Sequence, residues 1–204
     1  MSRIFTLPRR LRRDSRGVAL TEFGLILVPL MVVLLGAFDL GYQSYVRSVL
    51  QGVLNDVART ATVENPVFAY AGDTTEERIA TAIEERVNGI ARGASYTIEQ
   101  SNFYEFSGVG NAEKLVTDVN GNGEYDTGDC WEDNNGNGRF DTNAGRSGRG
   151  GADDVVYYDV TLTMPRLLPV SSLYGVPDNY TINARAAIRN QPFADQSVPA
   201  TECG

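Results

Sequence analysis

The hydrophobic pattern of this chain changes character near residue 38. From Val18 to Phe38 apolar side chains run on with no polar face, and Phe23 to Phe38 holds no charge. At about 1.5 Å per residue a helix over this run spans roughly 30 Å, the thickness of a bilayer core. Pro29 lies inside the run, removes a bond to Leu25 and is expected to kink the helix. From Asp39 to about Thr62 the pattern becomes amphipathic. Tyr42, Val46, Val49, Val53 and Val57 fall three or four apart, with Gln43, Arg47, Gln51 and Asn55 on another side. One long helix over 18–62 is therefore expected. Its later half lays an apolar stripe on its own domain or, in part, on other chains.

The remaining residues, 63–204, read as an α+β domain. A second helix is expected at 74–92, capped by Asp73 or Thr74. Glu76 and Glu77 suit its first turn, and Ile79, Ile83, Val87 and Ile90 form its buried face. Gly93 stops it, although Gly89 blurs the boundary. Alternation predicts strands at 95–106, 154–164 and 180–189, with a shorter one at 113–117. One apolar face per strand implies an antiparallel sheet covered on one side, with the long helix as the natural cover.

Charge divides the chain in the same way. The net charge is −8, yet residues 1–17 carry six arginines against the single acid Asp14. Without them the rest stands at about −13, which repels nucleic acid and attracts cations. By the positive-inside rule the basic leader stays cytoplasmic and the domain after Phe38 is exported across the inner membrane. The chain has no histidine and one lysine, Lys114. It lacks a Ser–His or Cys–His pair and a phosphate loop, so an enzyme is not expected. The two cysteines, Cys130 and Cys203, lack metal-site spacing; in an exported domain they suit a disulfide, the alternative being two free thiols.

Residues 118–129 read Asp-Val-Asn-Gly-Asn-Gly-Glu-Tyr-Asp-Thr-Gly-Asp. Asp118, Asn120, Asn122, Asp126 and Asp129 take the first, third, fifth, ninth and twelfth places of an EF-hand-type loop. Gly123 takes the sixth, where the chain turns sharply, and Glu124 at the seventh would offer its carbonyl. Such hard oxygen ligands suit Ca²⁺. Asp129 stands where a bidentate glutamate is usual, and no helix pattern flanks the loop. A second loop begins at Asp133, with Asn135, Asn137, Gly138 and Asp141 in the same places, but its twelfth residue is Ala144. Asp153 or Asp154, folding back across the glycine-rich stretch 145–151, is the expected completion. The alternative for both loops is an Asn/Gly/Asp surface turn without metal.

Gly17 stands before the apolar run rather than after it, and no Ala-x-Ala site follows Phe38. An ordinary secretory signal has the opposite order, so the apolar segment is expected to remain in the mature protein. Glu22, an acid in an apolar helix, needs either an interface or a partner. Cleavage after Gly17 would expose an amine on Val18, four residues away, and Glu22 could pair with that amine on a neighbouring subunit. The run Arg16-Gly17-Val18-Ala19-Leu20-Thr21-Glu22-Phe23, followed by Leu27-Val28-Pro29-Leu30, resembles the TadE-like proteins, pseudopilins of the tight-adherence (Flp, type IV) pilus system. Looser similarity continues at 132–138, 150–157 and 164–169. The resemblance implies cleavage after Gly17 by a prepilin peptidase, other pilus subunits as partners, and a role as a minor pilin in assembly and adhesion. Phe23 replaces the tyrosine of the major pilins. The alternative is a membrane-anchored, calcium-dependent adhesin that never enters a filament.

One segment stays outside this scheme. Leu167-Leu168-Pro169-Val170 through Leu173-Tyr174-Gly175-Val176-Pro177 is apolar but broken by prolines and glycine. It is expected to tuck against the sheet, the alternative being contact with another subunit or the outer leaflet.

Overall fold

The apolar run and the amphipathic segment after it form one helix, α1 (Val18–Thr60), which continues through Pro29. The structure, a computed structural model, describes residues 17–168 and 174–204; the arginine-rich leader before Gly17 and part of the apolar 167–177 segment lie outside them. The chain divides into two compact units. One holds α1 as far as Tyr42 together with Arg166–Val176; the other holds Gln43–Pro165 and Pro177–Gly204.

In the second unit the later half of α1 buries Val46, Leu50, Leu54, Val57 and Ala58. This face is rotated from the one the valines suggest: Val49 and Val53 are only half-buried, and leucines take the central positions. Gln51 Nε2 donates to the Arg185 carbonyl at 2.9 Å. Helix α2 (Thr75–Asn88) is shorter than expected and starts with a capping box. The Thr74 hydroxyl accepts from the Glu77 N–H, and the Glu77 carboxylate reaches back to the Thr74 N–H. Ile79, Ala82, Ile83 and Val87 are its buried face, and Gly89 closes it.

Two antiparallel sheets form where one was expected. The larger has the order β4–β1–β5–β6, built from β1 (Ser95–Phe103), β4 (Arg146–Ser147), β5 (Val155–Pro165) and β6 (Asn179–Arg189). Along β5, Val156, Tyr158, Val160, Leu162 and Met164 are buried, as the alternation requires. β1 ends at Phe103, so Tyr104 leaves the ladder, and Phe106 opens a short 3-10 turn. The smaller sheet has the order β2–β3–β7, from β2 (Leu115–Thr117), β3 (Cys130–Asp133) and β7 (Ala200–Cys203). β7 pairs Cys203 with Cys130 and Ala200 with Asp133. Cys130 and Cys203 form a disulfide across this register, closing 73 residues of sequence separation.

The glycine-rich stretch is held by two buried amides. Asn102 Nδ2 donates to the carbonyls of Arg146, Ser147 and Gly148, and Asn190 Nδ2 to those of Arg149 and Gly151. At Gly150, where φ is +66°, a Cβ would lie 2.6 Å from the Asp154 carboxylate, so a side chain has neither the conformation nor the space.

Candidate functional site

Two regions carry the residues singled out from the sequence. The first is the start of α1. Gly17 directly precedes the helix, Val18 is its first residue, and Glu22 stands one turn further on, exposed. None of the most apolar 18-residue window of α1 is buried within the chain, and its mean hydropathy is 2.5. The Thr21 hydroxyl donates to the Val18 carbonyl.

The second region is the pair of loops joined by β3. In the first, the Asp118 carboxylate accepts the N–H groups of Gly121 at 2.6 Å and Gly123 at 2.7 Å. Both glycines have positive φ, which lets their N–H groups converge on one carboxylate. Asp126 Oδ2 accepts the side-chain amides of Asn120 at 2.7 Å and Asn122 at 2.8 Å. Asp129 has no exposed surface and accepts the N–H groups of Val119 and Asp126, each at 2.8 Å. The Glu124 N–H donates to Asn122 Oδ1.

The second loop repeats these bonds place for place. Asp133 accepts from Gly136, Asn137 and Gly138. Asp141 Oδ2 accepts the amides of Asn135 and Asn137, both at 2.6 Å. The N–H groups of Asn134 and Asp141 occupy the positions of Val119 and Asp126, and both donate to one carboxylate, at 2.8 and 3.0 Å. That carboxylate is Glu113. Neither Asp153 nor Asp154 closes the loop. Asp154 accepts from the Gly151 N–H, Gln196 and Arg146, and Asp153 faces Arg189. Glu113 comes from upstream, placed by β2. The Glu113 N–H donates to the Asp141 carbonyl and the Glu132 N–H to the Lys114 carbonyl, so β2–β3 pairing carries it across.

The electrostatics follow from these partners. The Gly123 N–H, with those of Gly121 and its neighbours, holds the Asp118 carboxyl below its ordinary range. The amides of Asn135 and Asn137 do the same for Asp141. Burial pushes Glu113 up, against the N–H groups of Asp141 and Asn134, which pull it down. Among the described residues no three acidic or cysteine side chains gather into a metal-holding group. Hydrogen bonds close both loops, within the loop in the first and through Glu113 from outside it in the second. The Asn Nδ2 groups point at Asp126 and Asp141. To hold a cation, those side chains would turn their Oδ1 atoms inward.

The loops also touch. Tyr125 and Phe140, each at the eighth place of its loop, stack with centroids 4.5 Å apart and planes 7° from parallel. Trp131 of β3 meets both rings edge-on, at 5.3 and 6.2 Å. The equal spacing of Tyr125 and Phe140 was a usable signal in the sequence; nothing local marked Glu113.

One helix near the N-terminus, long and apolar enough to cross a membrane, beside an α+β unit closed by a disulfide, is the layout of a single-pass membrane protein. Residues 17–59 match the family model for TadE-like protein. The match covers α1 and none of the two sheets. No curated protein matches the chain, and no solved structure does either.

Proposed function

We propose that the chain is a minor pilin or pseudopilin of a Flp-type pilus, cut after Gly17 by a prepilin peptidase and supporting pilus assembly and adhesion. The observation that carries this is the first half of α1: an apolar helix with none of its most apolar window buried by its own chain, starting directly after a glycine, with an exposed acid one turn in. Such a surface is stable in lipid or against copies of itself, and a pilus subunit passes from one to the other. The new Val18 amine, pairing with Glu22 of a neighbour, would fix register along the way. The leader stays cytoplasmic and the α+β unit is periplasmic, the peptidase and other pilus subunits being its partners. The test is mass spectrometry of membrane-extracted protein from cells that build the pilus. A mature chain starting at Val18 is expected; an intact Met1–Gly17 leader sinks the assignment.

The second reading, a calcium-dependent adhesin outside the filament, is favoured by the repeated loop closure, in which buried Glu113 supplies the carboxylate that Ala144 lacks. Ca²⁺ would be held by Asp118, Asn120, Asn122, Asp126 and Asp129, with the Glu124 carbonyl. A second ion would take Asp133, Asn135, Asn137, Asp141 and Glu113. Outside the cytoplasm sites of roughly 10⁻⁴–10⁻³ M suffice. At ~100 Kd, binding to the folded loop adds about 2.7 kcal/mol. Thermal melting of the detergent-solubilised full chain in EDTA, then in a calcium titration, checks this: Tm should rise, and Asp118→Ala should remove most of the rise. A Tm unmoved by millimolar Ca²⁺ reduces both loops to hydrogen-bonded turns.

A further inference from the structure

The apolar 167–177 segment is expected against the sheet; its described residues Leu167, Leu168 and Tyr174 to Val176 group instead with the first half of α1. β5 ends at Pro165, Arg166 is the first residue of this group, and Pro177 belongs again to the unit that holds the sheets. Two contacts fix where the segment's described residues lie. The Tyr174 hydroxyl donates to the Val32 carbonyl. Arg166 pairs with Asp39, and both side chains are largely buried, 11% and 7% exposed.

The helix is shaped for the first contact. Gly36 is the residue that follows Val32 by one turn, so no side chain covers the Val32 carbonyl from that side. A Cβ on Gly36 would lie 3.1 Å from the Tyr174 hydroxyl oxygen and 3.3 Å from its ring carbon. The phenol therefore seats in a notch that only glycine leaves fully open. Val32 stands six residues before Phe38, where the charge-free run ends. At 1.5 Å per residue that is about 9 Å into the run.

A side chain bonded to Val32 shares the surroundings of Val32. If α1 crosses a bilayer, Tyr174 is in it too. The sequence agrees: between Arg166 and Asp178 there is no charged residue. Leu167 presents an apolar side chain with no cover, and on α1 Val33, Leu34 and Phe38 do the same. The Arg166–Asp39 pair sits at the end of the apolar run, where the two charges neutralise each other at the level of the membrane interface.

We infer that Arg166–Leu168 and Tyr174–Val176 form a second membrane-contacting element beside α1, in the leaflet nearer Phe38, with lipid acyl chains as its partner. It is hung from α1 by Tyr174 in the Gly36 notch and closed at the interface by Arg166 and Asp39. The inference rests on α1 spanning a bilayer and not on the pilus assignment.

The experiment places tryptophan in the full-length protein, reconstituted in phosphatidylcholine vesicles with acyl chains brominated midway. Tyr174→Trp keeps a ring N–H donor at the notch. Val33→Trp, on an exposed position beside Val32, marks the same depth on α1. Val198→Trp, exposed on the folded unit, marks water. The native Trp131, 3% exposed in the folded unit, gives a constant background. The added fluorescence of Tyr174→Trp should be lost to the bromines to the same extent as that of Val33→Trp, and that of Val198→Trp kept. Loss at Val33 but none at Tyr174 overturns the inference and leaves the membrane span intact. No loss at Val33 overturns the span, and the inference with it. Leu167→Trp replaces an exposed side chain without touching packing. With lipids brominated nearer the headgroup, it separates the same outcomes if Tyr174→Trp does not fold.

Discussion

The two loops on either side of β3 close by the same set of bonds, and they obtain the decisive carboxylate in different ways. The first takes Asp129 from its own twelfth place. The second has Ala144 there and takes Glu113, twenty places before its own first residue Asp133. The first loop is also clamped covalently. Asp129 precedes Cys130, which is bonded to Cys203, and the Gly204 N–H donates to the Asp129 carbonyl. The second has only strand pairing and buried hydrogen bonds to hold Glu113. One closure is thus local and cross-linked, the other non-local and non-covalent. The backbone needs two N–H groups satisfied at these places and accepts a carboxylate from either source.

The largest effect that can test this contrast is removal of the clamp. Cys130→Ser with Cys203→Ser frees a 73-residue separation, which costs about 4 kcal/mol in the chain-entropy account. Beyond that global loss, the amides of Val119 and Asp126 should exchange faster while those of Asn134 and Asp141 keep their protection relative to global unfolding. Equal loosening of both loops would mean that the disulfide stabilises the unit as a whole and has no special tie to the first.

Next comes removal of each carboxylate. Glu113→Ala leaves the N–H groups of Asn134 and Asp141 without an acceptor, and Asn134 is buried. The expected cost is about 1–3 kcal/mol, partly offset because a buried charge is removed too. Asp129→Ala strands the N–H groups of Val119 and Asp126, which lie on exposed residues and can turn to water. Its cost should fall at the lower end of that range. Urea denaturation of both variants without added calcium decides the order; a costlier Asp129→Ala would show that burial of the acceptor outweighs burial of the donors.

The same contrast explains what could be read in advance. The glycine, asparagine and aspartate places of both loops were legible because each is a fixed offset within one short window. Glu113 was not, because its place depends on Leu115 pairing with Trp131, a register that no spacing rule encodes. The completion sought downstream at Asp153 or Asp154 failed for a related reason: Asp154 is engaged with Gly151 and Gln196 in holding the glycine-rich stretch. β7 was missed because all four of its residues are exposed and show no alternation; backbone pairing and the disulfide hold it. The long alternating strands β5 and β6 were legible because β5 buries one face in full and β6 buries Tyr180, Ile182 and Ala184 on one face. On α1 the period was legible and its phase was not, since Val49 and Leu50, or Val53 and Leu54, are equally apolar neighbours and only packing selects between them.

The smallest expected effect bears on whether the two closures act as one. Tyr125 and Phe140 are the sole aromatic residues of their loops, at equivalent places, and they stack at 4.5 Å with Trp131 against both edges. Offset or edge contacts of this kind are worth about 0.5–1.5 kcal/mol beyond the area they bury. Tyr125 is 36% exposed, so the coupling should fall toward the lower figure. A double-mutant cycle with Tyr125→Ala, Phe140→Ala and the pair isolates it, since each single change removes the same stack. Chemical denaturation gives the stability coupling in EDTA. Repeated at saturating Ca²⁺, the cycle also reports whether an ion in one loop favours the closed form of the other. A larger coupling with Ca²⁺ than without means that the stack transmits closure from the cross-linked loop to the one closed by Glu113. Additive single effects in both conditions mean that the loops fold and bind independently, and that the shared pattern of their hydrogen bonds is repetition without cooperation.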